Sequence, residues 1–400
     1  MGSFNTKHIF LAFTLFVIYG SLYPFDFTIP ALGSDHFVKG IMGDLNAPRW
    51  SDLISNVILF IPFGFLGTAR WVADSTITRR FIHTFLAGTV LAVLLQGMQI
   101  YLPTRTPSLL DAICNTIGIM LGGFLFFPLR AKSFSPISAL SRVELLACGL
   151  MGIWALDALW PVFPGFDMQT LKDGLKPLLQ LAIHSPLKIL MTAVGWMILS
   201  HLWEFVRKDH LPPWWLFGAM ATMSALEIGM EENALEWEEM LGSIMAFGWH
   251  LTTRTAPYRL ECLIIFVTAL LAYQGLSPFA WRNTPQPFHW MPFGVSIRGE
   301  PLYQISVMLE KCFWYGSLAW LFTERQTPFR WTLGLLTGFL ASIEFAQQYL
   351  IEHTPEITDP LIIAAFVTLF HNEFLRPPNV PEPPNRALPQ ALAHPSSLQS

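Results

Sequence analysis

Charged residues are scarce in this chain. Asp, Glu, Lys and Arg make up 13% of its 400 residues, against roughly 25% in soluble domains, and that shortage excludes a water-exposed globular protein. The formal net charge of -4 comes with no concentrated basic patch, which excludes nucleic acid or another polyanion as a partner. Cysteine is limited to Cys114, Cys148, Cys262 and Cys312. All four lie in or beside apolar segments and form no CxxC pair, so they read as small packed residues rather than a disulfide or metal framework. The GxSxG, HExxH, phosphate-loop and dinucleotide fingerprints are missing as well. No cofactor and no metal is therefore expected, and no catalytic residue can be named.

What the chain does have is apolar length. Hydrophobic residues make up 52% and the mean hydropathy is +0.44. Stretches such as 9–22, 82–101, 109–129 and 261–276 approach the roughly 20 residues a helix needs to cross about 30 Å of hydrocarbon. The expected fold class is all-α: a polytopic transmembrane bundle of about twelve helices, centred near residues 15, 62, 91, 119, 153, 196, 221, 245, 268, 314, 340 and 364. The first apolar run lacks a small-residue cleavage pattern and is expected to remain as the first membrane helix. Lys and Arg in short loops favour the cytoplasmic side. With the N-terminus inside, Arg79, Arg80, Arg130, Arg142, Arg207, Lys208, Arg254, Arg259, Arg325 and Arg330 fall there, and the opposite loops hold fewer, among them Lys172, Lys176 and Arg282. The expected location is the inner (cytoplasmic) membrane, with both termini cytoplasmic. The Pro-, Ala- and Ser-rich tail 377–400 is expected to be disordered.

An internal repeat is visible. Tyr19, Leu22, Pro24 and Phe25 pair without a gap with Tyr273, Leu276, Pro278 and Phe279, and Gln96, Gln99 and Asp111 fall at the mutual spacing of Glu344, Gln347 and Asp359. This divides the chain into a four-helix unit over 1–135, a central unit over 136–257 that reads as a possible degenerate third copy, and a second four-helix unit over 258–376. Each unit has an even helix count, so the copies would be parallel.

In the first unit, Asn56, Phe60, Pro62 and Gly64 are followed one helix later by Gln99, Arg105, Asp111, Asn115 and Gly118. This pattern resembles the VanZ-like family of bacterial membrane proteins over about residues 8–130. The family's Glu, three residues before Gln99, is here Gln96. The second unit keeps Glu344, Gln347 and Asp359, has His353 in place of the Arg and Ile363 in place of the later Asn, and begins with Glu310-Lys311, a variant that resembles family members carrying an acidic-Lys pair where others have Asn. The resemblance implies a membrane protein associated with the cell envelope, in a family whose namesake is linked to tolerance of a glycopeptide antibiotic. It implies no reaction.

Two readings of these residues stand side by side. In one, Asp111 and Asp359 cap helix starts, Arg105 pairs with Asp111, and Asn56, Gln96, Gln99 and Asn115 are interhelical hydrogen bonds. In the other, Asn56, Gln96, Gln99, Arg105, Asp111 and Asn115 form a pocket for an anionic lipid head group, with Arg105 as bidentate donor to phosphate. Lys311, Glu344, Gln347, His353 and Asp359 are their second-copy counterparts, with His353 offering a weaker, pH-dependent contact. For a phosphate-bearing head group the first unit should dominate. The expected partner is thus a membrane lipid or lipid-linked glycan at the outer leaflet, with envelope-assembly proteins as further possible partners. The alternatives are an intramembrane enzyme acting on a lipid phosphate, with Glu344 or Asp359 as base, and a scaffold for polysaccharide export or protein sorting. Gly64, Gly67, Gly118, Gly122 and Gly123 read as close helix packing. The blocks around Tyr23–Phe27 and Trp290–Phe293 read as interfacial belts or short loops, and Glu227, Glu231, Glu232, Glu236, Glu238 and Glu239 as a solvated loop.

Overall fold

The structure, a computed structural model, describes residues 6–23, 25–29, 50–69, 76–103, 107–130, 141–162, 165, 168–180, 183–231, 233–294 and 301–374. Arg105, Glu232 and the tail 377–400 lie outside the described residues. Those described are all-helical and contain no strand, with two isolated bridges at Trp281–Leu350 and His289–Glu356.

The helices are α1 (Thr6–Leu22), α2 (Trp50–Ala69), α3 (Ile77–Gln99), α4 (Leu109–Arg130), α5 (Arg142–Ala158), the short α6 (Met168–Leu175), α7 (Pro186–Arg207), α8 (Pro213–Ile228), α9 (Trp237–Thr253), α10 (Arg259–Leu276), α11 (Pro301–Glu324), α12 (Phe329–Gln347) and α13 (Thr358–Phe374). Every centre expected from apolar length falls inside one of the twelve longer helices. Their starts follow local chemistry. Thr76 accepts the Arg79 amide at the head of α3, Ser141 and Glu144 form a reciprocal capping box on α5, and Ser185 followed by Pro186 opens α7, each satisfying amides the first turn leaves free.

Among the described residues, three helices are long and apolar enough to cross a membrane by themselves: α3, α7 and α10. On α3, Leu86, Val90, Val93 and Leu94 form an outward stripe, each more than half exposed. A stripe of that size facing out means the surrounding solvent is apolar. The chain is a membrane protein.

Packing makes two cores. Val17, Leu22, Phe60, Phe63, Leu95, Leu102 and Ile119 join α1 to α4. A larger core runs without interruption through α5 and α7 to α13, around fully buried Trp320, Phe313, Leu263 and Ile198. Glycine sets the spacing of α2 and α4. A Cβ on Gly64, Gly118 or Gly122 would lie 2.0, 2.2 or 1.9 Å from a carbonyl oxygen of the facing helix, so the two backbones are in contact, as close packing by small residues requires.

Because successive long helices run in opposite directions, the chemistry sorts to two ends. At one end α7 is stapled to α10: Glu204 pairs with Arg259, whose guanidinium also donates to Ser200 Oγ at 2.8 Å, while Glu204 accepts the Leu211 amide at 2.8 Å. Lys208–Glu144 at 2.9 Å and His201–Glu324 at 2.8 Å add ties there. At the other end lie Asp111, Asp157, Lys188, Glu344 and Asp359. There the segment 280–293 crosses the loop between α12 and α13, with Gln286 Nε2 donating to the carbonyls of Gln347 at 2.9 Å and His353 at 2.5 Å. The Trp290–Phe293 block is a loop, as expected, and it also joins units: Tyr19 of α1 donates its hydroxyl to the Pro292 carbonyl at 2.6 Å, and the Phe293 ring packs on Phe16.

Candidate binding site at one end of the bundle

The start of α13 reverses the chain just after α12, which brings Asp359 against the middle of α11. Lys311 and Tyr315, one helical turn apart and therefore on one face, both reach it. Lys311 Nζ sits 2.5 Å from Asp359 Oδ1, and the Tyr315 hydroxyl donates to Oδ2 at 2.5 Å. Both oxygens of a carboxylate that is 8% exposed are thereby satisfied. Taken singly, either charge would be costly this far from water, and the pairing with a third, neutral donor offsets that cost.

Glu344, 3% exposed in the last turn of α12, accepts the Glu356 amide at 2.7 Å and lines the same cavity as Asp359. Gln347 Nε2 donates to the Gly275 carbonyl at 2.9 Å, His353 Nε2 meets the Ser277 carbonyl, and Gln274 Nε2 donates to Glu310 at 2.7 Å. These residues line a cavity of about 490 Å3 between α10, α11, α12 and α13. That is inside the roughly 300–1,000 Å3 typical of small-molecule sites.

The N-terminal unit shows the same backbone frame. Gln99 Nε2 donates to the Ser21 carbonyl at 2.9 Å, as Gln347 does to Gly275. Gln96 Oε1 accepts the Ser108 amide at 2.9 Å, as Glu344 accepts that of Glu356. Thr28 donates to Tyr101 O at 2.7 Å and Arg282 to Tyr349 O at 2.7 Å. Phe25 and Phe279 share a left-handed backbone, at φ of 64° and 59°, each with its ring against the tyrosine six residues before it, at 5.5 and 5.6 Å.

The site residues read from sequence therefore divide. Lys311, Glu344, Gln347, His353 and Asp359 converge on one cavity. Gln96 and Gln99 make interloop and interhelical hydrogen bonds, as in the first of the two readings. Asn56 is half-buried on α2. Asn115 is 4% exposed, and its Oδ1 has no hydrogen-bond partner among the described residues. Asp111 stands in the first turn of α4, while Arg105 is outside the described residues. Two expectations are corrected. Asp359 stands in the first turn of α13, but its side chain is taken up by α11 rather than by the helix start alone. The acidic run is a solvated loop only in part: Glu231 is exposed, but Glu227 closes α8 and lines a second cavity, Glu236 and Glu239 hold Lys188 at 2.9 and 3.0 Å, and Glu238, 1% exposed, accepts the His184 and Ser185 amides at 2.5 and 3.1 Å. Glu238 is drawn in by loop amides that are distant in sequence.

Sequence reasoning missed Tyr315 and Glu356, and named Glu310 only as the acidic neighbour of Lys311. A signal existed for Tyr315: it follows Lys311 by the four residues that separate Phe60 from Asn56.

Residues 9–130 match the protein-family model VanZ/LLP1. This bears out the resemblance read from the Asn-x3-Phe-x-Pro pattern: that segment is VanZ-like. No curated protein and no solved structure matches the chain.

Proposed function

We propose that this VanZ-like membrane protein binds the head group of an envelope lipid or lipid-linked glycan at the outer leaflet, in the cavity bounded by α10 to α13. The observation that carries the reading is a buried, fully paired Lys311–Asp359–Tyr315 network opening into a cavity of about 490 Å3. Ionisable groups at membrane depth are expensive, and they mark ligand paths more often than fold requirements.

The reading includes a topology. Twelve helices span the inner membrane, both termini are cytoplasmic, and the polar ends of α3, α4, α12 and α13 face outward. It also treats 258–376 as a second copy of the N-terminal unit, supported by the shared frame of hydrogen bonds. An alkaline-phosphatase reporter fused after Thr104 should be active and one after Ala73 silent; the reverse pattern would sink the topology.

A second reading, an enzyme acting on a lipid phosphate, is favoured by the adjacency of Glu344 to Asp359 and Lys311, since a base needs a neighbouring group to set its proton affinity. Incubating purified protein with labelled polyprenyl-phosphate lipids separates the possibilities. Stoichiometric retention without turnover supports binding, turnover supports the enzyme, and neither outcome would end both.

A further inference from the structure

The larger cavity does not stop at α11. A smaller one, of about 200 Å3, lies between α5, α7, α8 and α9, and Glu310 and Trp314, one turn apart on α11, line both. The walls of the smaller cavity carry both indoles and carboxylates. Trp154 and Trp196 meet edge to face at 4.8 Å, and Asp157 and Glu227 stand among the other lining residues with Thr192, Ser224 and Ser243. Lys188 lines it too, but is engaged by Glu236 and Glu239. The side-chain carboxyls of Asp157 and Glu227 have no hydrogen-bond or ion-pair partner among the described residues.

The larger cavity has the same bias. Among the described residues, Glu310, Glu344, Glu352, Glu356 and Asp359 line it against Lys311 and His353. Lys311 is held by Asp359, and Gln274, Gln347 and His353 direct their side-chain nitrogens at protein oxygens. A phosphate group brings negative charge and little but acceptors, so it would meet repulsion in both cavities. A sugar ring brings hydroxyl donors for the carboxylates and a flat apolar CH face for the indoles.

We propose that the two cavities form one trough for the glycosyl part of the lipid, with the α10–α13 cavity taking the ring nearest the lipid and the Trp154–Asp157–Trp196 cavity taking a second ring. This rests on the lipid-binding reading above and narrows it to a glycosylated head group, leaving any phosphate outside the trough.

The test is a titration of the full-length protein in phosphatidylcholine nanodiscs with phosphatidic acid, phosphatidylethanolamine, monoglucosyl-diacylglycerol and diglucosyl-diacylglycerol. The diglucosyl lipid should bind tightest. Asp157→Asn, which keeps the side chain's size, should weaken it roughly tenfold, the loss of one hydrogen bond to a charged group, and leave the monoglucosyl lipid unchanged. Trp154→Phe should act in the same direction. Equal weakening of both glucosyl lipids by Asp157→Asn would overturn the second subsite. Phosphatidic acid or phosphatidylethanolamine binding as tightly as the glucosyl lipids would overturn the sugar assignment while leaving lipid binding in place. Indifference to all four head groups would end the lipid-binding reading itself.

Discussion

Helices α1 to α4 and helices α10 to α13 hold the loops at one end with matching hydrogen bonds but are spaced differently. In the first, Gly64, Gly118 and Gly122 bring α2 and α4 into backbone contact. Counting from Asp111 and Asp359, the positions of Gly118 and Gly122 are occupied in the C-terminal unit by Phe366 and Phe370, and the Phe370 ring packs 5.4 Å from Trp320 of α11. Aromatic bulk stands between α11 and α13 where glycine closes α2 on α4. The polar groups at that end of α11 to α13 then surround a cavity. A loop frame can be kept while side-chain volume further down the helices decides whether it encloses space.

The largest effect should come from exchanging that bulk. Gly122→Phe should abolish folded protein, since a Cβ alone would lie 1.9 Å from the Ile61 carbonyl oxygen. Phe370→Ala in the C-terminal unit should cost about 3–5 kcal/mol through the void it leaves. Thermal unfolding in detergent reads both, and a well-folded Gly122→Phe would break the packing comparison.

Next in size is Lys311→Ala, which strands Asp359 as a buried charge. Removing one partner of a buried pair costs about 3–5 kcal/mol, and the lower end applies here because the Lys311 side chain is 23% exposed. Asn56→Ala at the matching position should cost no more than about 1 kcal/mol. Equal losses in the unfolding transition would mean that the Lys311 pair adds nothing the asparagine lacks.

The correspondence of the units is sharpened by a smaller pair. Gln99→Ala and Gln347→Ala each remove one side-chain bond to a carbonyl on the preceding unit helix, and each should cost about 1 kcal/mol. A difference between the two larger than their own size would sink the view that 258–376 repeats the first unit. Smallest in stability is Glu344→Gln. The amide oxygen can still accept the Glu356 amide, as Gln96 accepts that of Ser108, so unfolding should shift by less than about 1 kcal/mol. Lipid retention should nonetheless fall roughly tenfold.

The helices were legible because apolar length is a direct consequence of the bilayer's thickness, and the glycine contacts because backbone approach demands small residues at helical spacing. The paired sites were legible in part: the spacing of Gln96, Gln99 and Asp111 returns at Glu344, Gln347 and Asp359, so these positions could be named before their bonds were seen. Charge partners were not. Lys311 and Asp359 lie 48 residues apart, and Glu238 lies 54 from the His184 amide it accepts. A glutamate-rich stretch looks the same in sequence whether water or a distant loop satisfies it. The single core running through α5 and α7 to α13 was also hidden, because the motif spacing that marks off a central unit says nothing of which faces pack together.

The most direct test of the central claim is a density map of the full-length protein in nanodiscs containing a glycosylated envelope lipid. The account predicts an ordered head group enclosed by α10 to α13, beside Lys311 and Glu344. Head-group density found only beside Asp111 of the N-terminal unit, with the α10–α13 cavity lacking any, would contradict it.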